Sequence, residues 1–294
     1  MSEAVQKILN ITLVLFMVGN LLEMGLKLNL REAFGALRNV RFVVLSLLWG
    51  FVLCPAFALL LMKIIPLAEP YALGLLFLSM APGAPFLPAV AQKARGDLAY
   101  VAAFMLLTAV GTVVFMPLAV PVLINGFSAN SWTIAKPLVF YIALPLVIGV
   151  AIRLAALTFA EKSHPFVKKI TAVDSLILLA VMFWIYGGDF LGAVGSYAIG
   201  TQILYFAIVT SAAYGLGFGL PPSQKSVLAL GLCTRNIGAA VAPLMADPGA
   251  DQRAIVMCCL AMVITILGGI GAAVVFGRLA PSDEPVSAGE PAAT

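Results

Sequence analysis

The residues best able to do chemistry lie inside two irregular apolar stretches. One of them, QKSVLALGLCTRNIGAAVAPLMA (224–246), carries Cys233, Thr234, Arg235, Asn236 and Gly238 near its middle. A guanidinium at the centre of a membrane span costs at least ~2.5–3.5 kcal/mol on insertion scales, so it must face a cavity or a partner. Its permanent charge and forked donors suit a carboxylate. Three uses of Arg235 fit: capping backbone carbonyls, meeting an anionic substrate, or pairing with an acid elsewhere. Thr234 and Asn236 could bond a substrate or the broken backbone, and Cys233 could act as a thiol ligand.

The second stretch, YALGLLFLSMAPGAPFLPAVAQKAR (71–95), holds Pro82, Gly83, Pro85 and Pro88 within seven residues. Each proline lacks an N–H, so the carbonyls of Leu78, Ala81 and Ala84 lose their helical partners. Residues preceding a proline are pushed out of the α region. The helix must break, which hydrocarbon tolerates only inside protein or beside a water-filled cavity. The backbone near Ala84, Phe86 and Leu87 then becomes available. Helix halves starting after each break would aim partial positive charge at the centre and favour an anion.

Other chemistry-bearing residues are sparse. Glu23 sits beside Asn20 in the last turn of the first apolar stretch, either as a solvated acid or as a proton-coupling or gating group. Asp174 and Asp189 are fifteen residues apart, about 22 Å of helix, too far for an acid dyad; Asp189, after Gly187-Gly188, reads as part of an outer turn. The one histidine, His164, reads as part of a basic loop. With no neighbouring Cys it supports no usual metal site and no Ser-His pair within the membrane. The four cysteines, Cys54, Cys233, Cys258 and Cys259, lie in apolar stretches without CxxC spacing and read as reduced thiols. Trp132, Trp184 and Tyr186 read as interface anchors. Gly215, Gly217 and Gly219 follow no strand, so they form no nucleotide loop and suit close helix packing.

The elements that hold these residues follow from composition. Of 294 residues 62% are hydrophobic and 10% charged, whereas a soluble domain carries roughly a quarter charged residues. Lipid is the solvent that fits, and about 20 apolar residues span it. Nine apolar segments appear, at 6–26, 41–65, 71–95, 97–124, 133–156, 168–192, 197–220, 224–245 and 252–278. The Pro/Ala/Ser/Glu-rich end, 279–294, is expected to be disordered, and the first segment to be retained rather than cleaved. With nine spans, twelve Lys/Arg fall on one side and four on the other. This charge bias predicts a multi-pass protein of the cell (inner) membrane, N-terminus outside and C-terminus cytoplasmic. The net charge of +4 is thus an orientation signal; no basic run is long enough for nucleic acid. The two interrupted segments cross in opposite directions, each followed by a polar turn and a long helix. That pairing points to a site between inverted repeats.

The chain resembles the bile acid:sodium symporter family from about Leu13 to Gly277. The resemblance rests on GNLLEMGLKLNLREAFGALRN (19–39), LFLSMAPGAPFLPAVAQKARGDLAYVAAF (76–104) and LGLCTRNIGAAVAP (230–243). It implies an all-α transporter in the family's nine-span form, spanning 1–278. Segments 6–26 and 133–192 would form a panel, and 41–124 and 197–278 a core where two broken helices cross. The departures are specific. The family's sodium-binding Ser-Asn pair falls on Leu87 and Pro88, two further hydroxyls on Val101 and Met105, and a glutamate on Gly231. Gln-Asn becomes Arg235-Asn236, so only Asn236 is kept.

Sodium takes several oxygen ligands, as hard cations do, and those replacements offer no side-chain oxygen. The reading is therefore that Arg235 supplies the lost positive charge and that the family's usual sodium sites are not used. The expected function is secondary transport of a small organic anion by alternating access, with no cofactor and no resident metal. The substrate site would draw on Arg235, Asn236, Thr234, Cys233, Phe86, Leu87, Asn20 and Glu23. Expected partners are the lipid bilayer and that anion; oligomeric state stays open. Sodium symport through backbone oxygens is the rival reading. A membrane enzyme lacks its acid, histidine and metal sets, and a channel lacks a repeated pore motif.

Overall fold

The computed structural model describes residues 3–124, 130–247 and 249–280. The expected disorder of the tail concerns residues that, from 281 on, lie outside the described ones, as does Pro248 in the second polar turn. The protein is an all-α polytopic membrane protein. Its helices are α1 (Glu3–Lys27), α2 (Leu30–Leu37), α3 (Val40–Leu48), α4 (Cys54–Ile64), α5 (Glu69–Ser79), α6 (Leu87–Lys93), α7 (Leu98–Leu123), α8 (Ser131–Leu138), α9 (Leu144–Ala155), α10 (Leu157–Ala193), α11 (Ala198–Gly215), α12 (Pro222–Cys233), α13 (Ile237–Ala246) and α14 (Gln252–Leu279).

Starts are set by polar caps. The side chains of Asn29, Asn39, Asp97, Asn130, Asn236 and Asp251 accept from the first free N–H groups of α2, α3, α7, α8, α13 and α14. Two single π-helical turns, Trp49–Leu53 and Val139–Ala143, join α3 to α4 and α8 to α9. Each lies just ahead of a proline, Pro55 or Pro145. The missing proline N–H leaves a ladder carbonyl without its donor, and a wider turn absorbs the fault.

Among the described residues, seven helical stretches are long and apolar enough to cross a membrane. Exposed apolar side chains such as Leu118, Val122 and Leu191 cover their outer faces; a soluble protein would not leave so much apolar surface bare. The remaining two apolar segments are the interrupted pairs α5–α6 and α12–α13. α1 packs along α9 and α10. At Gly25 and Gly149 the backbones of α1 and α9 touch, each Cα lying 2.9 Å from where the other's Cβ would sit, the small-residue approach of membrane helices.

Several local readings are corrected. Residues 157–167, with His164, continue α10 as helix instead of forming a loop. The backbone at Asp189 is helical too, since α10 runs to Ala193 past a kink at Tyr186. Tyr186 is buried, unlike Trp132 and Trp184, which are exposed. Of the three glycines expected at close packing, Gly217 is tightly approached, a Cβ there meeting Lys225 Cγ at 2.6 Å, whereas Gly215 ends α11 with no neighbour where a Cβ would point and Gly219 serves a turn at φ +81. The basic stretch after the first span contains the short helix α2, with Ala33 and Ala36 buried.

Candidate functional site

The two breaks meet. Pro82 and Arg235 form an isolated antiparallel bridge, and backbone groups released on one chain segment are taken up by the other. The N–H of Asn236 donates to Ala81 O at 2.9 Å, and the N–H of Gly83 to Gly231 O and Thr234 O, both at 3.0 Å. Gly83 reaches that geometry at φ +85, where a side chain would be strained. The other carbonyls expected to be orphaned also find donors: Leu78 O from the Ala81 N–H at 3.1 Å and Ala84 O from the Leu87 N–H at 3.0 Å. Thr234 Oγ1 accepts from the Ala84 N–H at 3.4 Å. Asn236 Oδ1 accepts from the Ala239 N–H at 3.1 Å, closing the start of α13.

Arg235 is 1% exposed. Its Nη1 donates to Ser79 O at 3.1 Å, and its Nη2 to Tyr205 Oη at 3.1 Å and Cys54 Sγ at 3.3 Å. Ser79 O is the carbonyl that Gly83 would have served in a continuous helix, so the guanidinium replaces a ladder donor. The rings of Tyr205 and Phe206 lie 5.6 and 5.8 Å from Cζ, within cation–π range. Only Nε lacks a partner. No carboxylate pairs with Arg235 among the described residues, leaving a buried cation held by a carbonyl, a phenol oxygen and a sulfur.

Beside this crossover lie two adjoining cavities. One, of about 400 Å³, has Lys27, Glu32 and Lys168 among its wall residues, with Glu23, Val101 and Met105. The other, of about 280 Å³, is bordered by Met17, Arg235, Asn236, Ile237, Met262 and Thr265. Asn20, Pro85, Phe86 and Ser175 border both. Asn20 also donates from Nδ2 to Phe16 O at 2.7 Å.

The expected site residues therefore separate. Asn20, Glu23, Phe86, Asn236 and the backbone-breaking Pro85 and Pro88 face cavity. Thr234, Cys233 and Leu87 are buried and border neither. Pro82 and Gly83 belong to the cross-pairing. At Gly238 a Cβ would meet Met17 Cγ at 2.6 Å, so its bareness lets α1 approach.

Sequence reasoning missed Arg235's partners Ser79, Cys54 and Tyr205. It also missed the α10 contribution of Lys168, Thr171 and Ser175. The spacing of Lys168, Thr171 and Ser175 by three and four was a helical-face signal in the sequence. Glu23 is not isolated: His164 Nε2 lies 3.5 Å from its Oε1 and Thr171 Oγ1 3.3 Å from its Oε2.

The positions where the resemblance puts sodium-binding side chains hold Leu87, Pro88, Val101, Met105 and Gly231, which offer no side-chain oxygen. Val101 and Met105 give the cavity an apolar wall. At Gly231 a Cβ would run into the Phe104 ring, so the space of a longer side chain is already filled. The freed carbonyls are engaged as well: Ala81 O, Gly231 O and Thr234 O with backbone N–H groups, and Ser79 O with Arg235.

A model of the Sodium Bile acid symporter family matches residues 12–192. The match takes in α1, the first break and α10, and ends before the second break. No curated protein matches the chain.

Proposed function

The chain belongs to the sodium bile acid symporter family, and from that premise we propose that it is a secondary transporter moving a small organic anion by alternating access without the family's usual sodium sites. The observation carrying this reading is the crossover itself. Two broken helices exchange their backbone partners, and a guanidinium stands among the acceptors, at a position where the resemblance puts an ion-binding side chain.

The substrate class follows from charge and shape. A buried cation with no carboxylate paired to it among the described residues raises the potential of the adjoining cavity, because a low-dielectric surround screens it poorly. That favours an anion. The cavity wall is apolar at Phe86, Met105 and Met262, polar at Asn20 and Ser175, and charged at Lys27 and Lys168. An amphipathic anion matches that sequence of surfaces. Arg235 acts through its field and its grip on the crossover, while Asn20, Asn236 and Phe86 touch the substrate. α1, α8, α9 and α10 form the panel that moves against the core. Nine crossings leave the N-terminus outside and the C-terminus in the cytoplasm, so the first cavity opens inward.

Family membership also favours the rival reading, sodium symport through backbone oxygens. Against it stands the engagement of those oxygens by N–H groups and by Arg235, whose charge would repel a second cation. A thermal-shift screen of metabolite anions on purified protein, run with sodium or choline at equal ionic strength, separates the two. A ligand that binds the folded form raises its apparent stability. The proposal expects an anion whose stabilising effect is the same in both salts; an effect seen only in sodium would establish the rival.

A further inference from the structure

Among the side chains described, Asp174 stands out as an enclosed acid for which no hydrogen bond or ion pair is seen. It is 6% exposed, and its Oδ2 is shut off from solvent with no hydrogen-bond donor among the described residues. It sits on the cavity-facing stretch of α10. Ser175, the next residue, borders both cavities. Thr171, one turn away, contacts Glu23 Oε2 at 3.3 Å, and Glu23, which borders the wider cavity, lies 3.5 Å from His164.

The chargeable groups facing this region are few. From α1 they are Glu23 and Lys27. From α9 there is Arg153, whose Nη1 donates to Leu26 O at 3.0 Å. Between Cys259 and Arg278, α14 carries no titratable side chain. On α10 itself Lys169, Lys168 and His164 are five or more residues away, about 7.5 Å or more along the axis. A carboxylate enclosed this way would be an uncompensated buried charge, whereas the neutral acid is tolerated. An ionisable group retained inside a membrane span without a structural partner marks a proton or ion pathway more readily than a packing role.

We propose that Asp174 is a proton-carrying group, and that the proton, not sodium, is the coupling ion. This deepens the transport reading and rests on it. In the conformation described here Asp174 holds its proton while closed off. When the panel moves against the core, the carboxyl reaches water, releases the proton and is recharged on the return. The proton crosses with the anion and no bond other than O–H forms or breaks. Glu23, at the wider cavity, exchanges protons between Asp174 and solvent, with His164 beside it.

The test reads the proton directly. Infrared spectra of the purified full-length protein are taken through neutral pH for wild type, Asp174→Asn, Asp174→Glu and Glu23→Gln. A protonated-carboxyl stretch is expected at neutral pH, lost in Asp174→Asn, shifted in Asp174→Glu and retained in Glu23→Gln. Asn mimics the neutral acid and is expected to keep the fold; the glutamate variant keeps the test alive if it does not. A band untouched by both Asp174 substitutions would overturn the assignment. In proteoliposomes holding a pH dye, a taurine-conjugated bile acid is the probe, because its sulfonate stays ionised and carries no proton itself. Wild type is expected to acidify the lumen as the probe enters, and Asp174→Asn to exchange the probe without moving protons. Uptake by wild type with no proton movement would refute proton coupling while leaving transport standing.

Discussion

Replacing Arg235 by alanine removes three donated hydrogen bonds, to Ser79 O, Tyr205 Oη and Cys54 Sγ. Hydrogen bonds to a charged group are each worth about 1.5–3 kcal/mol. Their loss is partly offset, because the guanidinium no longer has to be kept out of water. Two costs are not offset. Ser79 O becomes a buried acceptor without a donor, costing about 1–3 kcal/mol, and a void opens between Tyr205 and Phe206. The net loss should fall near 3–5 kcal/mol, the range seen when a buried charged contact is broken from one side. Denaturant unfolding of the purified protein in detergent, followed by the fluorescence of buried Trp49, measures it. Arg235→Lys should lose less, since an ammonium reaches some of the same acceptors as a point charge but lacks the planar fork. If the alanine variant unfolds within about 0.5 kcal/mol of wild type, the size expected of an ordinary surface change, Arg235 is not what ties the crossover together.

Further expectations concern the space around that crossover. Gly231→Ala should destabilise by about 1–3 kcal/mol, the usual cost of overpacking, because its Cβ meets the Phe104 ring; an unchanged unfolding midpoint would show that the ring yields freely. Ser175→Trp should fill the neck shared by the two cavities. It should abolish the thermal shift produced by an anionic ligand while leaving the unliganded melt near that of wild type. A retained shift would move the binding site elsewhere.

The spans were legible because lipid demands long apolar runs, and the breaks because prolines at 82, 85 and 88 cannot continue a helix. Arg235 stood out as a charge in the middle of such a run. What it bonds to did not, since Cys54, Ser79 and Tyr205 come from three other helices and their meeting is a tertiary fact that no local pattern encodes. The fate of the freed carbonyls was hidden for the same reason: Ala81 O is satisfied by Asn236, more than 150 residues away along the chain. The start of α10 was read as loop because Glu161, Lys162 and His164 interrupt the apolar pattern; that part continues a spanning helix without being apolar itself. Asp174 was read only by its distance from Asp189, and only the packed structure shows it enclosed. The π-helical turns before Pro55 and Pro145 were not foreseen, as proline alone does not say whether a helix kinks, ends or widens.

On the proposed reading the crossover carries its own positive charge and offers no oxygen cage to a monovalent cation. Direct titration of sodium into the purified, ligand-free protein tests this, with choline replaced ion for ion and the melting temperature read at each step. A flat response across the titration is expected. A saturable rise in stability specific to sodium over choline would mean that oxygen ligands gather there after all, and the central claim would fall.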